Sequence, residues 1–191
     1  MSPRVAGLAA AILAGGQATR MGGAPKSLLV VDGERVIDRQ LTVLRALADE
    51  ILIVANDAAP YASLGLPIVA DEQAGQGPLA GILAALTAAR AERVLVVACD
   101  MPYLEVAPLA RLADADAAFD IVVADGDRPE PLCARYGRAC IAPIRRRLAA
   151  GQRKAADLLH DADVRLACIA FTASERRFLT NVNTPTDLGQ L

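Results

Sequence analysis

The sequence predicts an α/β protein, a three-layer α/β/α domain built on a mostly parallel sheet. Short, wholly apolar runs alternate with helix-period segments, the order of parallel strands joined by crossover helices. Residues are 54% apolar but only 3% aromatic, so the core has to be Ala, Val, Leu and Ile packed between a sheet and helices. A length of 191 residues suits one domain, residues 1–191, and no repeat, linker or low-complexity tract interrupts it.

The elements follow in order. Leu8–Leu13 is an uninterrupted apolar strand that stops in glycines. Residues 36–48 carry Val36, Ile37, Leu41, Leu44 and Leu47 at helical spacing, an amphipathic helix. A second buried strand at 51–54 ends in Asn56-Asp57, and a short third strand at 67–69 lands on Asp71. Residues 77–89 place Leu79, Ile82, Leu83 and Leu86 on one helix face, with Pro78 at the favoured first position. Arg93–Ala98 reads as a central strand with Cys99-Asp100 at its carboxyl end, and 121–124, 131–136 and 164–171 supply further strands. The chain after Leu13, Asn56, Asp71 and Asp100 each follow a different strand. In open α/β sheets ligands gather at the carboxyl strand ends, so these groups are expected on one rim.

Charge and cysteine content exclude several classes. The net charge is -2 with scattered basic residues, which is no electrostatic footprint for nucleic acid. The one dense cluster, Arg145-Arg146-Arg147, reads as a solvated helix face. Cysteines 99, 133, 140 and 168 lack C-x2-C spacing and His160 is the single histidine, so a zinc site is not expected and a reduced, cytoplasmic setting is. Arg4 with the apolar run after it mimics a short secretory signal, but that run is the strand feeding the glycine loop. No segment approaches the ~18 apolar residues of a membrane span.

The most informative stretch is 13–26. Gly15, Gly16, Gly22 and Gly23 bare the backbone N–H groups, and Arg20 and Lys26 add positive charge: a polyphosphate cradle. It is neither a Walker A loop, since Pro25 precedes Lys26, nor a dinucleotide G-x-G-x-x-G loop. Asp100, stiffened by Pro102, suits Mg²⁺, which takes one carboxylate and completes its octahedron with water and phosphate. Asp71 suits the metal, a base or a ribose. Gly77 opens a helix whose N-terminus offers donors and a favourable dipole. Asn181 and Asn183, at i and i+2, share one side of an extended segment and face a heterocycle or phosphate; Asn183 or Thr184 also suits the cap of a last helix from Pro185. With one isolated histidine there is no nucleophile–base pair. Phosphoryl or nucleotidyl transfer driven by positioning and charge is what remains.

Taken together, Leu13-Ala14-Gly15-Gly16-x3-Arg20-Met21-Gly22-Gly23-x2-Lys26, Asp71, the block from Gly77 to Gly81, Cys99-Asp100-Met101-Pro102 and Asn181-Val182-Asn183-Thr184-Pro185 resemble the molybdenum cofactor guanylyltransferases, Rossmann-like nucleotidyltransferases. The resemblance implies transfer of GMP from GTP to the terminal phosphate of molybdopterin, releasing pyrophosphate. It implies that Leu13, Ala14, Gly15 and Gly16 bind the nucleotide through backbone contacts, with Asn56, Asp71 and Gly77 beside them. Arg20 and Lys26 would neutralise the triphosphate, Asp100 would ligate Mg²⁺, and Asn181 and Asn183 would face the pterin, with Arg153-Lys154 assisting. Molybdoenzyme or cofactor-chaperone partners are implied by the product, though no motif encodes them.

Pro25 departs from the family, many members of which have an acidic residue there; proline stiffens the loop and changes the aim of Lys26. Three alternatives stay open at this point: a molybdopterin cytidylyltransferase, a sugar-phosphate nucleotidyltransferase, and a non-catalytic nucleotide-binding regulatory module. Ala14-Gly15-Gly16, where cytidylyl relatives commonly begin Ala-Ala-Gly, leaves space for a purine.

Overall fold

The computed structural model describes residues 4–15, 25–71 and 76–182. Its centre is a seven-stranded sheet of β1 (Leu8–Leu13), β4 (Glu50–Val54), β5 (Ile68–Val69), β6 (Arg93–Ala98), β7 (Ile121–Asp125), β8 (Pro129–Gly137) and β9 (Leu166–Ala170), in the order β5-β4-β1-β6-β8-β7-β9. All neighbours pair in parallel except β8, which runs antiparallel to both β6 and β7. Sequence and structure agree on every strand of this sheet within about two residues, the usual uncertainty of element ends. A second sheet, the pair β2 (Val30–Val31) and β3 (Glu34–Arg35), had no periodic signal because it is two residues long on each side.

Helices cover both faces. On one lie α1 (Val36–Leu47) and α3 (Val106–Ala113), and on the other α2 (Pro78–Ala88), α4 (Ile141–Ala149) and α5 (Ala155–Leu158). The alternation along β1 decides which residue meets which layer: Leu8, Ala10 and Ile12 join the first core, and Ala9, Ala11 and Leu13 the second. β1 is buried along its whole length between β4 and β6. The alanines let the helices come close from both sides, which is how a chain with so few aromatics fills its interior. Gly81 does the same from α2: a Cβ there would stand 3.4 Å from the Leu13 side chain.

α3 was not among the predicted elements; its Pro108 sits in the first turn, where its lost N–H is not needed. The arginine cluster is on α4, where Arg145 and Arg146 are exposed. Arg147 and Arg146 pair with Asp161 at 2.9 Å and Asp163 at 2.6 Å, so the cluster is the solvated face expected. His160 is exposed after α5, its N–H bonded to the Asp157 carbonyl. Among the described residues no helix is long and apolar enough to cross a membrane.

The edge strand β9 is held by a charged bracket. Asp120, buried just before β7, accepts from the Arg165 N–H at 2.9 Å, from its Nε at 3.1 Å and from its Nη2 at 2.8 Å. The Arg165 guanidinium hydrogen-bonded to Asp120 holds its carboxyl below the usual carboxylate range. A depressed carboxyl pKa contributes stability that is present above the unfolded-chain value, about 3.9, and is lost as pH falls through the folded value. Asp120→Asn is therefore expected to cost about 1–3 kcal/mol near neutral pH. Denaturant titrations from pH 7 to pH 3 should show the gap to wild type closing on acidification. A gap that stays constant would contradict the bracket.

Candidate active site

The carboxyl ends of β5, β4, β1 and β6 are adjacent and point the same way, so the residues that follow them share one rim. Hydrogen bonds continue past the strand ends: Ala14 N–H donates to Val54 O at 2.8 Å, and Cys99 N–H to Leu13 O at 3.2 Å. Leu13, Ala14 and Gly15 are thereby placed between Val54 and Cys99. Leu13 is buried, Ala14 half-buried and Gly15 exposed. Gly16, Arg20 and Asn183 lie outside the described residues, as does the predicted last helix from Pro185.

The far end of the glycine stretch returns to this rim. Lys26 opens a 3-10 turn, Lys26–Leu28, closed by the Leu28 N–H donating to Pro25 O at 3.0 Å. Pro25, at φ -60°, is in its natural conformation and sets the start of that turn. Ser27 is fully buried, and its hydroxyl hydrogen-bonds the Tyr61 hydroxyl at 2.8 Å, fastening the turn to the interior. Lys26 Nζ then stands 3.7 Å from Asp100 Oδ2. Both side chains are partly exposed, and such a pair contributes no more than about 1 kcal/mol.

Asp100 sits in the turn directly after β6, and its own carbonyl accepts from the Val182 N–H at 2.8 Å. Asn181, exposed, is thus delivered beside Asp100. Phe178 anchors this segment: it is fully buried in the α1/α3 core and meets Phe171 edge-on at 4.8 Å. Burial, reinforced by the neighbouring Asp100 charge, pushes the Cys99 thiol up to about 12. Cys99 is consequently a neutral thiol at physiological pH, without the reactivity of a thiolate.

On the other side of β1, exposed Asn56 accepts from the Asp71 N–H at 3.1 Å through its Oδ1, which ties the β4 and β5 ends together. Asp71 Oδ1 is buried and has no hydrogen-bond partner among the described residues. A carboxylate oxygen in that state is an acceptor looking for a donor. Gly77 has φ 75° and ψ -174°, a conformation essentially reserved for glycine, and a Cβ there would stand 3.1 Å from the Arg153 carbonyl. Its close neighbour is thus the backbone of Arg153, whose residue, like Lys154, is exposed.

Residues that the motif search missed support the predicted ones from behind: Ser27 and Tyr61 under Lys26, and Gln40 under the Asp100 turn. Gln40 was legible as the polar member of the buried face of α1, between Ile37 and Leu41. Among the described residues no three His, Cys, Asp or Glu side chains group around a metal position. A lone carboxylate facing a lysine, as Asp100 faces Lys26, fits a magnesium ion shared with an anionic ligand, and does not fit a metal caged by protein alone.

The MobA-like NTP transferase domain family matches residues 10–166. Molybdenum cofactor guanylyltransferase from Shewanella amazonensis is 37% identical over 187 residues, 95% of this chain and 94% of that one. The Burkholderia lata protein of the same name is 43% identical over 168 residues, 80% of each chain. Molybdopterin-guanine dinucleotide biosynthesis protein A from Archaeoglobus fulgidus superposes with a TM-score of 0.78 at 26% identity, covering 95% of both chains.

Gly77→Ala is expected to cost about 1–3 kcal/mol, because alanine strains at that backbone conformation. Gly15→Ala, whose Cβ would meet nothing nearer than the Val54 carbonyl at 3.9 Å, should leave the thermal midpoint nearly unchanged. Equal losses for the two would contradict the packing described at Gly77. A rim formed by the ends of four parallel strands, a lysine facing a carboxylate across it and relatives matched along nearly the whole chain lead to one assignment: the chain belongs to the molybdenum cofactor guanylyltransferases, nucleotidyltransferase enzymes built on the MobA-like NTP transferase domain.

Proposed function

We propose that the protein transfers GMP from GTP to the terminal phosphate of molybdopterin, forming the guanine dinucleotide cofactor and pyrophosphate, in a magnesium-dependent reaction. The observation that carries this reading is the 3.7 Å approach of Lys26 Nζ to Asp100 Oδ2 at the joint end of β1 and β6. A triphosphate needs cations, and its metal needs an anion; the pair offers one of each to the same volume.

The backbone at Leu13, Ala14 and Gly15 receives the guanine, and Asp71 Oδ1, without a hydrogen-bond partner among the described residues, accepts from its N–H groups or from ribose. Asn56 fixes Asp71 by accepting its backbone N–H. Lys26 and Arg20 hold the triphosphate as an oxygen of the molybdopterin phosphate attacks the α-phosphorus. The bond from that phosphorus to the β-phosphate oxygen breaks, and the departing pyrophosphate leaves against the same cations. Asp100 would hold Mg²⁺, which when bound supplies Lewis acidity at the phosphates. Asn181, tied beside Asp100 through the Val182 N–H, and Asn183 would face the acceptor. The free thiols of Cys99, Cys133, Cys140 and Cys168 suit a reducing, cytoplasmic setting. The product would pass to molybdoenzyme or chaperone partners.

Turnover with molybdopterin should be measured with GTP and CTP, with and without Mg²⁺, in wild type and Asp100→Ala. The expected result is GTP-specific, Mg²⁺-dependent pyrophosphate release that Asp100→Ala reduces by at least about 100-fold with the fold intact. Preference for CTP would reject the guanylyl assignment. Undiminished turnover in Asp100→Ala would reject its role with the metal.

A further inference from the structure

Gln40 is fully buried on the inner face of α1, among Val36, Ile37, Leu41 and Leu44. Its side-chain nitrogen donates to two main-chain carbonyls, Ala98 O at 2.8 Å and Met101 O at 2.9 Å. Those carbonyls bracket Cys99 and Asp100, so one amide spans the turn that presents the carboxylate. The Gln40 Oε1 is itself buried and has no hydrogen-bond partner among the described residues. An orphaned acceptor costs free energy that an apolar side chain of similar size would not. The residue is therefore placed for its two donors, not for packing.

The turn is held from two other directions as well. Cys99 N–H donates to Leu13 O, which fixes the turn to β1, and Val182 N–H donates to Asp100 O. Each of those is a single backbone bond to one point of the turn. Among the described residues Gln40 alone bonds it on both sides of Asp100, and it does so from the buried face of α1. A carboxylate that must share a metal with a mobile triphosphate has to be aimed by what lies behind it, because a lone ligand has no companion ligands to fix it.

We propose that Gln40 is a positioning residue for the Asp100 carboxylate, setting the metal and triphosphate site through the turn without touching substrate. The proposal rests on the reading of Asp100 given above. Gln40→Met keeps the length of the side chain and removes both donors. It is expected to raise the Mg²⁺ concentration for half-maximal turnover and to lower kcat, each by about 10–100-fold, the usual range for residues that support a metal ligand. GTP affinity measured without metal should change much less. A readout independent of turnover is the alkylation rate of Cys99, located by peptide mass: it should rise when the turn loosens, while that of buried Cys133 on β8 does not.

Wild-type Mg²⁺ dependence and kcat in folded Gln40→Met would overturn the proposal. So would faster Cys99 labelling with unchanged turnover, since Gln40 would then be structural only. Should Gln40→Met fail to fold, Gln40→Asn, which keeps an amide too short to reach both carbonyls, is read in the same way. Asp100→Ala run in parallel separates the two ideas. Full turnover there removes the role of Asp100 and this proposal with it; lost turnover there beside a wild-type Gln40→Met removes this proposal alone.

Discussion

The burial of β1 between β4 and β6 is the constraint from which the site follows. Three parallel strands in adjacent register put Val54, Leu13 and Ala98 side by side, and the sheet ends at the same level across all three. Polar backbone released at that level has to be satisfied, and it is: Ala14 bonds to Val54, Cys99 to Leu13 and Val182 to Asp100. These bonds carry the order of the sheet a short way beyond the strands. The residues that follow the strand ends are thereby set on hydrogen-bonded backbone, although they lie in turns. The small side chains of β1 serve the same end, because alanine lets α1 and α2 close on the sheet.

Electrostatics at the rim is arranged for exchange more than for stability. Elsewhere the molecule uses tight charge pairs, such as Asp120 with Arg165, in which both carboxylate oxygens are bonded. Lys26 and Asp100 instead face each other at 3.7 Å in partial contact with solvent. Such a pair is readily parted by a polyanion and its counter-ion. The adjoining Cys99 thiol is kept neutral by burial, so it adds no charge to this balance.

The fold was legible because its strands are long apolar runs bounded by glycine, proline or acidic residues. Arg93–Ala98 and Leu8–Leu13 have the same ends in the sequence pattern and in the structure. What escaped were the two-residue strands of the 30–35 hairpin, too short to show a period, and α3, although Val106, Leu109, Leu112 and Ala113 recur at helical spacing around Pro108. At the rim, glycines, charges and strand ends pointed to the stretch after Leu13, to Lys26 and to Asp100, because an anion calls for bare N–H donors and cations and its metal for a carboxylate. The supports could not be found that way. Ser27 matters through Tyr61, 34 residues distant, and Gln40 through a turn 58 to 61 residues away. Their importance is a property of the packed core and appears only once α1 lies on the sheet. Gly77 shows the converse: its glycine was visible in sequence, but the Arg153 carbonyl against it was not.

The central claim is that Lys26 and Asp100 act on one bound triphosphate. A double-mutant cycle with Lys26→Ala and Asp100→Asn, read by calorimetry as affinity for GTP in the presence of Mg²⁺, addresses it directly. Non-additive losses are expected, with a coupling of about 0.5–3 kcal/mol for GTP and none for guanosine. Losses that simply add for GTP, or the same coupling for guanosine, would contradict it.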